Sequence, residues 1–170
     1  PLSVFASNSG LVKMDGNVQY VWGAQTNFHD LEASGDSTKY LETDAQIRGK
    51  LQLNNRELAT QDYTLNVVNP SVDAIDSEVP IGFISCNPNA GWVQWETTIG
   101  EYYFPFGDRV SDTVTYRPLV LSPMLSEEGN FKARFINNDP SQDGFSTLAL
   151  GSDENEMCSV NPKFYHEILR

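Results

Sequence analysis

The chain reads as an all-β protein, an antiparallel β-sandwich preceded by an N-terminal set of short strands. Three observations predict this. Apolar and polar residues alternate with a period of two in one segment after another, as a sheet with one wet face requires. Clusters of Asn, Asp, Gly and Pro punctuate those segments. Helical spacing of apolar residues is nearly absent, and the acidic stretch Leu31–Leu41 offers one turn of helix that Gly35 would break.

In chain order, residues 17–22 (NVQYVW) alternate Val18, Tyr20 and Trp22 against Asn17, Gln19 and Val21. Residues 45–53 set Ile47, Leu51 and Leu53 on one face and Arg48, Lys50 and Gln52 on the other. Tyr63, Leu65 and Val67 repeat the pattern, as do Phe131, Ala133 and Phe135 opposite Lys132 and Arg134. Between them, Asn54-Asn55, Asn87-Pro88-Asn89-Ala90-Gly91 and Asn137-Asn138-Asp139-Pro140 carry turn chemistry, since Asn and Gly tolerate positive φ and Pro presets φ. Pro105 and Pro118 fall in strand-like runs and are expected at an edge, a bulge or a strand end, because proline donates nothing to a ladder. The chain divides softly at 69–78. Residues 1–70 form an N-terminal β region in which Gly10, Gly16 and Gly23 hint at the rungs of a solenoid-like cap without a fixed period, and residues 71–170 form the sandwich module.

Composition sets the outer bounds. A chain of 170 residues suits one domain or one β architecture with an appended element. With 23 acidic against 11 basic residues, the net charge is −12 and the pI about 4.4, so nucleic-acid binding is excluded for want of clustered Lys and Arg. No apolar run reaches the ~18–20 residues of a membrane span, and repeated segments of an outer-membrane barrel are not evident. The start, Pro1-Leu2-Ser3, lacks the pattern of a signal peptide, and both ends look cut, so the chain is expected to be a fragment of a longer protein. The two cysteines, Cys86 and Cys158, have no zinc spacing. They either form one disulfide worth about 4 kcal/mol in the chain-entropy model or remain two buried thiols.

One group of motifs goes further. FISCNPNAGWVQWETTIGEYYFPFGD followed by TYRPLVLS holds Thr98, Gly100, Tyr102 or Tyr103, Phe104-Pro105-Phe106-Gly107-Asp108 and then Tyr116-Arg117-Pro118-Leu119. This resembles a recurrent segment of large cell-surface proteins that Bacteroidetes export through the type IX secretion system. The closing CSVNPKFYHEILR and the upstream LQLNNRELATQDYTLNVVNP resemble phrases of the same proteins, in the same order, so that the resemblance covers about residues 50–170. Phe106 stands where Val or Ile is commoner, and the family's sorting domain is missing. The resemblance implies a secreted, non-catalytic module at the cell surface, structural, adhesive or gliding-associated, with the secretion machinery or other surface proteins as partners. Within those motifs, Gly107 is expected to permit a sharp turn, Asp108 to bond backbone two residues on, and Arg117 to pair with a carboxylate on the sheet face.

Candidate chemistry is sparse. His29-Asp30, with Ser34 or Asp36, has the residue types of a triad but no nucleophile elbow, and a surface histidine is the preferred reading; His166 is read as structural, near a sheet edge. Glu96 and Glu101 beside Trp92, Trp95, Tyr102 and Tyr103 have the makings of a retaining glycosidase site only if their carboxyls converge about 5 Å apart in one cleft. The main alternative function is a carbohydrate-binding module that presents Trp92 or Trp95 to sugar C–H faces; a scaffold would bury both. Asp139, Asp143, Asp153, Glu154 and Glu156 suit either a weak extracellular calcium site or, in the preferred reading, solvated acidic loops. No other cofactor is expected.

Overall fold

The computed structural model describes residues 9–77, 81–124, 129–145 and 161–170, which form an all-β structure without α-helix. The chain winds as a β-solenoid whose coils each lay down three short strands. The first coil is β1 (Leu11–Met14), β2 (Gln19–Val21) and β3 (Thr26–Phe28), and the second is β4 (Asp30–Ala33), β5 (Lys39–Leu41) and β6 (Ala45–Ile47). The third is β7 (Leu51–Leu53), β8 (Glu57–Ala59) and β9 (Thr64–Val67), and the fourth β10 (Ile75–Asp76), β11 (Phe83–Ser85) and β12 (Trp92–Thr97). Equivalent strands pair in parallel, giving three sheets: β1-β4-β7-β10, β2-β5-β8-β11 and β3-β6-β9-β12.

The inward residues explain why the coils stack. Phe28, Ile47, Val67 and Trp95 form one column, Thr26, Ala45, Leu65 and Val93 another, and all eight are buried. Leu31, Leu51 and Ile75 line up on the first sheet. A three-residue strand cannot bury its apolar face alone, but a column places each side chain against its counterparts above and below, and full burial contributes roughly 1.5–3 kcal/mol per large aliphatic residue. The corners suit their sequence. Gly35 adopts φ +78, and a Cβ there would lie 2.2 Å from the Asp15 carbonyl oxygen, so only glycine lets the first two coils meet at that corner. The stretch Leu31–Leu41 is therefore strand, turn and strand, with no helical turn.

The antiparallel sandwich expected over residues 71–170 does not form. Ile75, Ile84 and Trp95 continue the columns of Leu51, Leu58 and Val67, and β10, β11 and β12 pair in parallel across the soft division at 69–78. Among the strands of the described residues, antiparallel pairing begins at β12. The six residues of β12 outreach β9 and take β17 (Gly129–Ile136) along their other edge, and β18 (Tyr165–Leu169) pairs with β17. Two further pairs close the molecule, β13 (Tyr102–Phe104) with β16 (Leu119–Leu121), and β14 (Gly107–Val110) with β15 (Thr113–Tyr116). Pro105 and Pro118 sit between strands, where no ladder donor is needed.

The aromatic motif forms the end wall of the solenoid. Trp95 meets Tyr102 and Phe104 edge-on, each at a centroid distance of 5.1 Å, and Phe104 stacks on Phe106 at 5.7 Å. The Trp95 indole N–H donates to the Asn69 carbonyl at 2.9 Å, and the Tyr102 hydroxyl donates to the Pro70 carbonyl at 2.7 Å, so both buried rings have their polar atoms satisfied. Phe106 bridges in parallel to Ile84, adding a fifth layer beside β11. Gly107 serves close approach and not a sharp turn: a Cβ would lie 2.8 Å from the Phe83 ring. Asp108 accepts from the backbone N–H of Arg109, one residue on, and the Arg117 guanidinium lies over the Phe164 ring at 4.9 Å and pairs with no carboxylate among the described residues.

Candidate binding groove

The outward faces of the three sheets differ in kind. The first carries Lys13, Glu32, Gln52 and Asp76, and the third carries Asn27, Gln46, Asn66 and Gln94, polar ladders suited to water. The second carries Tyr20, Tyr40, Ala59 and Ser85 in register. Tyr20 and Tyr40 stack at 5.2 Å with 20° between ring planes, and Trp22, beside them on the first coil, is 78% exposed. The alternation in NVQYVW thus points opposite to its hydrophobicity: Val21 is buried, whereas Val18, Tyr20 and Trp22 face solvent.

Beside the tyrosine column runs a second one that ends in Glu57 and Phe83. The β14–β15 pair overhangs it. Arg109 places its guanidinium over the Phe83 ring at 5.9 Å and donates from Nε to Glu57 Oε2 at 3.1 Å. Thr38 donates to the same oxygen at 3.1 Å, and Ser85 donates to Glu57 Oε1 at 2.7 Å. Glu57 is buried and takes three bonds, so its carboxylate is fixed in place while the arginine stays partly open to water. Two cavities of about 310 and 410 Å³ lie on either side of this bridge and share Thr38, Tyr40, Glu57 and Arg109, so together they make one groove along the sheet.

The residues singled out from the sequence lie elsewhere. Trp95 is fully buried in the end wall. Trp92 is half-buried on β12, and the Arg134 guanidinium and Lys132 ammonium lie over its ring at 4.2 and 5.1 Å. Glu96 stands on β12 opposite Asn130, whereas Glu101 is exposed and lines a cleft whose lining does not include Glu96. That cleft, of about 700 Å³, also holds Lys50, Asp73, Asp76, Tyr103 and Tyr116. The Tyr103 and Tyr116 hydroxyls are 2.6 Å apart, and burial, reinforced by that bond, raises the Tyr116 phenol pKa.

His29 Nδ1 lies 3.2 Å from Asp30 Oδ1 at the corner between β3 and β4, while Ser34 and Asp36 occupy the next corner, so no triad assembles. His166 sits on β18, its Nε2 2.9 Å from the Arg117 carbonyl oxygen and its ring 5.4 Å from Phe135. Cys86 has no disulfide partner among the described residues, and burial pushes its thiol up to about 12; Cys158 lies outside the described residues. Asp139 caps the 3-10 turn Pro140–Asp143 by accepting from Ser141 N–H, and Asp143 accepts from Asn138 and Tyr165. Asp153, Glu154 and Glu156 lie outside the described residues, and among the described ones no group of three or more His, Cys, Asp or Glu is arranged to hold a metal.

Comparison with protein-family models, with curated proteins and with solved structures finds no match to this chain. Sequence reasoning missed the groove. Its signal was the spacing of Tyr20 and Tyr40, which places them on neighbouring coils only once the coil length is known.

Proposed function

We propose that the chain is a non-catalytic extracellular module of a type IX-secreted cell-surface protein, with an adhesive role and the rigidity of a structural spacer. The observation that carries this reading is the contrast among the three outer faces: two polar ladders beside one face of exposed rings and a fixed ion pair. A solenoid stacked on continuous apolar columns holds such a face rigid, which suits repeated attachment and release at a surface. The sequence resemblance over residues 50–170 supports the export route. That Glu96 is not among the residues lining the cleft that holds Glu101 supports a binding role over glycoside hydrolysis.

Two measurements test this. Antibody raised against the chain should label intact cells of the source organism and lose that labelling when type IX export is disrupted. Beads coated with the purified chain should be retained under flow on that organism's natural attachment surfaces, and the chain should release no product from polysaccharide or peptide substrates. Labelling confined to broken cells, or steady hydrolysis, would overturn the proposal.

A further inference from the structure

We infer that the groove on the outer face of β2-β5-β8-β11 binds an uncharged saccharide chain, with one sugar ring stacked against Tyr40 above Ala59. The inference rests on the adhesive reading and supplies its ligand. Its first ground is the shape of the outward column. Neighbouring coils lie ~4.8 Å apart, and Tyr20 and Tyr40 fill two successive levels with stacked rings. At the next two levels the column drops to Ala59 and Ser85. The step leaves the larger groove cavity, about 410 Å³, walled by Tyr40 on one side and by Asp108 and Arg109 of β14 on the other. That volume falls within the ~300–1,000 Å³ range of small-ligand sites. A pyranose laid on the Tyr40 side would continue the ring stack by one place, its C–H face against the aromatic face.

The second ground is the polar rim. Around the cavity stand the Gln61 amide, the Asn87 amide, which already donates to Asp62 at 2.6 Å, and the Arg109–Glu57 pair, whose carboxylate takes the Ser85 hydroxyl. Donors and acceptors are thus mixed within one sugar's reach, the pattern that hydroxyl groups satisfy. Charge excludes the commonest competitors. Arg109 is already paired with Glu57, and of the remaining charged groups lining the groove Asp36 and Asp108 outnumber Arg56, so an acidic polysaccharide is disfavoured. The groove lies on the outer face of the sheet, where β5 and β8 present side chains and their backbone groups are spent on each other, which favours ring stacking there over strand addition.

The test uses the whole chain with neutral hexasaccharides as probes (β-1,4-glucan, β-1,4-xylan and α-mannan), read by calorimetry and by ligand-observed NMR, with polygalacturonate as the acidic comparison. At least one neutral hexasaccharide should bind and polygalacturonate should not. Tyr40→Ala should weaken binding at least tenfold. Ala59 is 5% exposed, so Ala59→Phe fills the step from beneath and should abolish binding in protein whose fold is verified by circular dichroism, while Gln46→Ala on the third sheet leaves affinity unchanged. Absence of binding by all three neutral probes, preference for polygalacturonate, or unchanged affinity in a folded Ala59→Phe variant would overturn the inference. Bead retention that persists in Ala59→Phe would sink the saccharide groove and leave adhesion standing; saccharide binding without bead retention would do the reverse.

Discussion

Lys39 shows how a single residue can be forced by its column. It sits inward between Gln19 and Leu58 with no accessible surface, and its ammonium donates to the carbonyls of Gly16 and Asn17 at 2.6 and 2.7 Å. Gly16 is part-buried and Asn17 exposed, so what the two bonds chiefly satisfy is the ammonium of the buried lysine itself. Glu32 does similar work on the first sheet. Its bond from Lys13 at 3.0 Å, aided by Asn54 at 2.9 Å, holds its carboxyl below the ordinary 4.5 against the opposing effect of burial. A depressed acid pKa means stability that is complete above 4.5 and lost as pH falls through the folded value. Urea midpoints measured at about pH 6 and about pH 3 should therefore differ less in Glu32→Gln than in the unmodified chain. Cys86 gives a second check at this scale. A thiol raised to about 12 by burial holds almost no thiolate at neutral pH, so peptide mapping after iodoacetamide should find Cys86 labelled only when the chain is denatured first.

At the scale of the element, three-residue strands have little intrinsic stability, and each depends on the column it joins. Leu51 lies between Leu31 and Ile75 and has no solvent exposure. Leu51→Ala removes the middle of that column and should cost about 3 kcal/mol in chemical denaturation, within the range for core leucine truncation. Trp22→Ser, on the outer face of the same solenoid, should shift stability by less than about 0.5 kcal/mol because the ring is 78% exposed. A large penalty for the exposed ring, or a negligible one for Leu51, would contradict the inward and outward assignment of these strands.

For the molecule as a whole, the governing problem is how a stack of parallel coils ends. An open coil presents apolar side chains and unpaired strand edges to water, a template for association with other chains. At the C-terminal end the rings of Tyr102 and Phe104 cover Trp95, Phe106 stacks on Phe104, and β17 and β18 extend the third sheet in antiparallel fashion. Phe104→Ala should lower stability by about 3–5 kcal/mol, and its size-exclusion profile should shift toward oligomers as the end wall loosens. A monomeric, fully stable variant would mean that the aromatic motif is not what closes the solenoid.

The amino-acid sequence by itself determined the class of structure and most of its punctuation. Alternation in segments such as 45–53, with Ile47, Leu51 and Leu53 buried and Arg48 and Lys50 exposed, states which residues share a face, and the Asn- and Gly-rich clusters mark where strands stop. Period two is common to parallel and antiparallel sheets, however, so it left the partner of each strand open, and the sandwich expected over 71–170 had the same local signature as the stack that forms. Pairing was decided by tertiary columns between residues far apart in sequence. Leu31 meets Leu51 and Leu51 meets Ile75 at unequal intervals, which hides the repeat. The same long-range register turned Val21 inward and Tyr20 outward beside Tyr40, against the local hydrophobic preference of NVQYVW, and so made the groove. A strand's own residues fix which side chains travel together; only the neighbouring coil, through the free energy of filling a shared interior, fixes which side faces water.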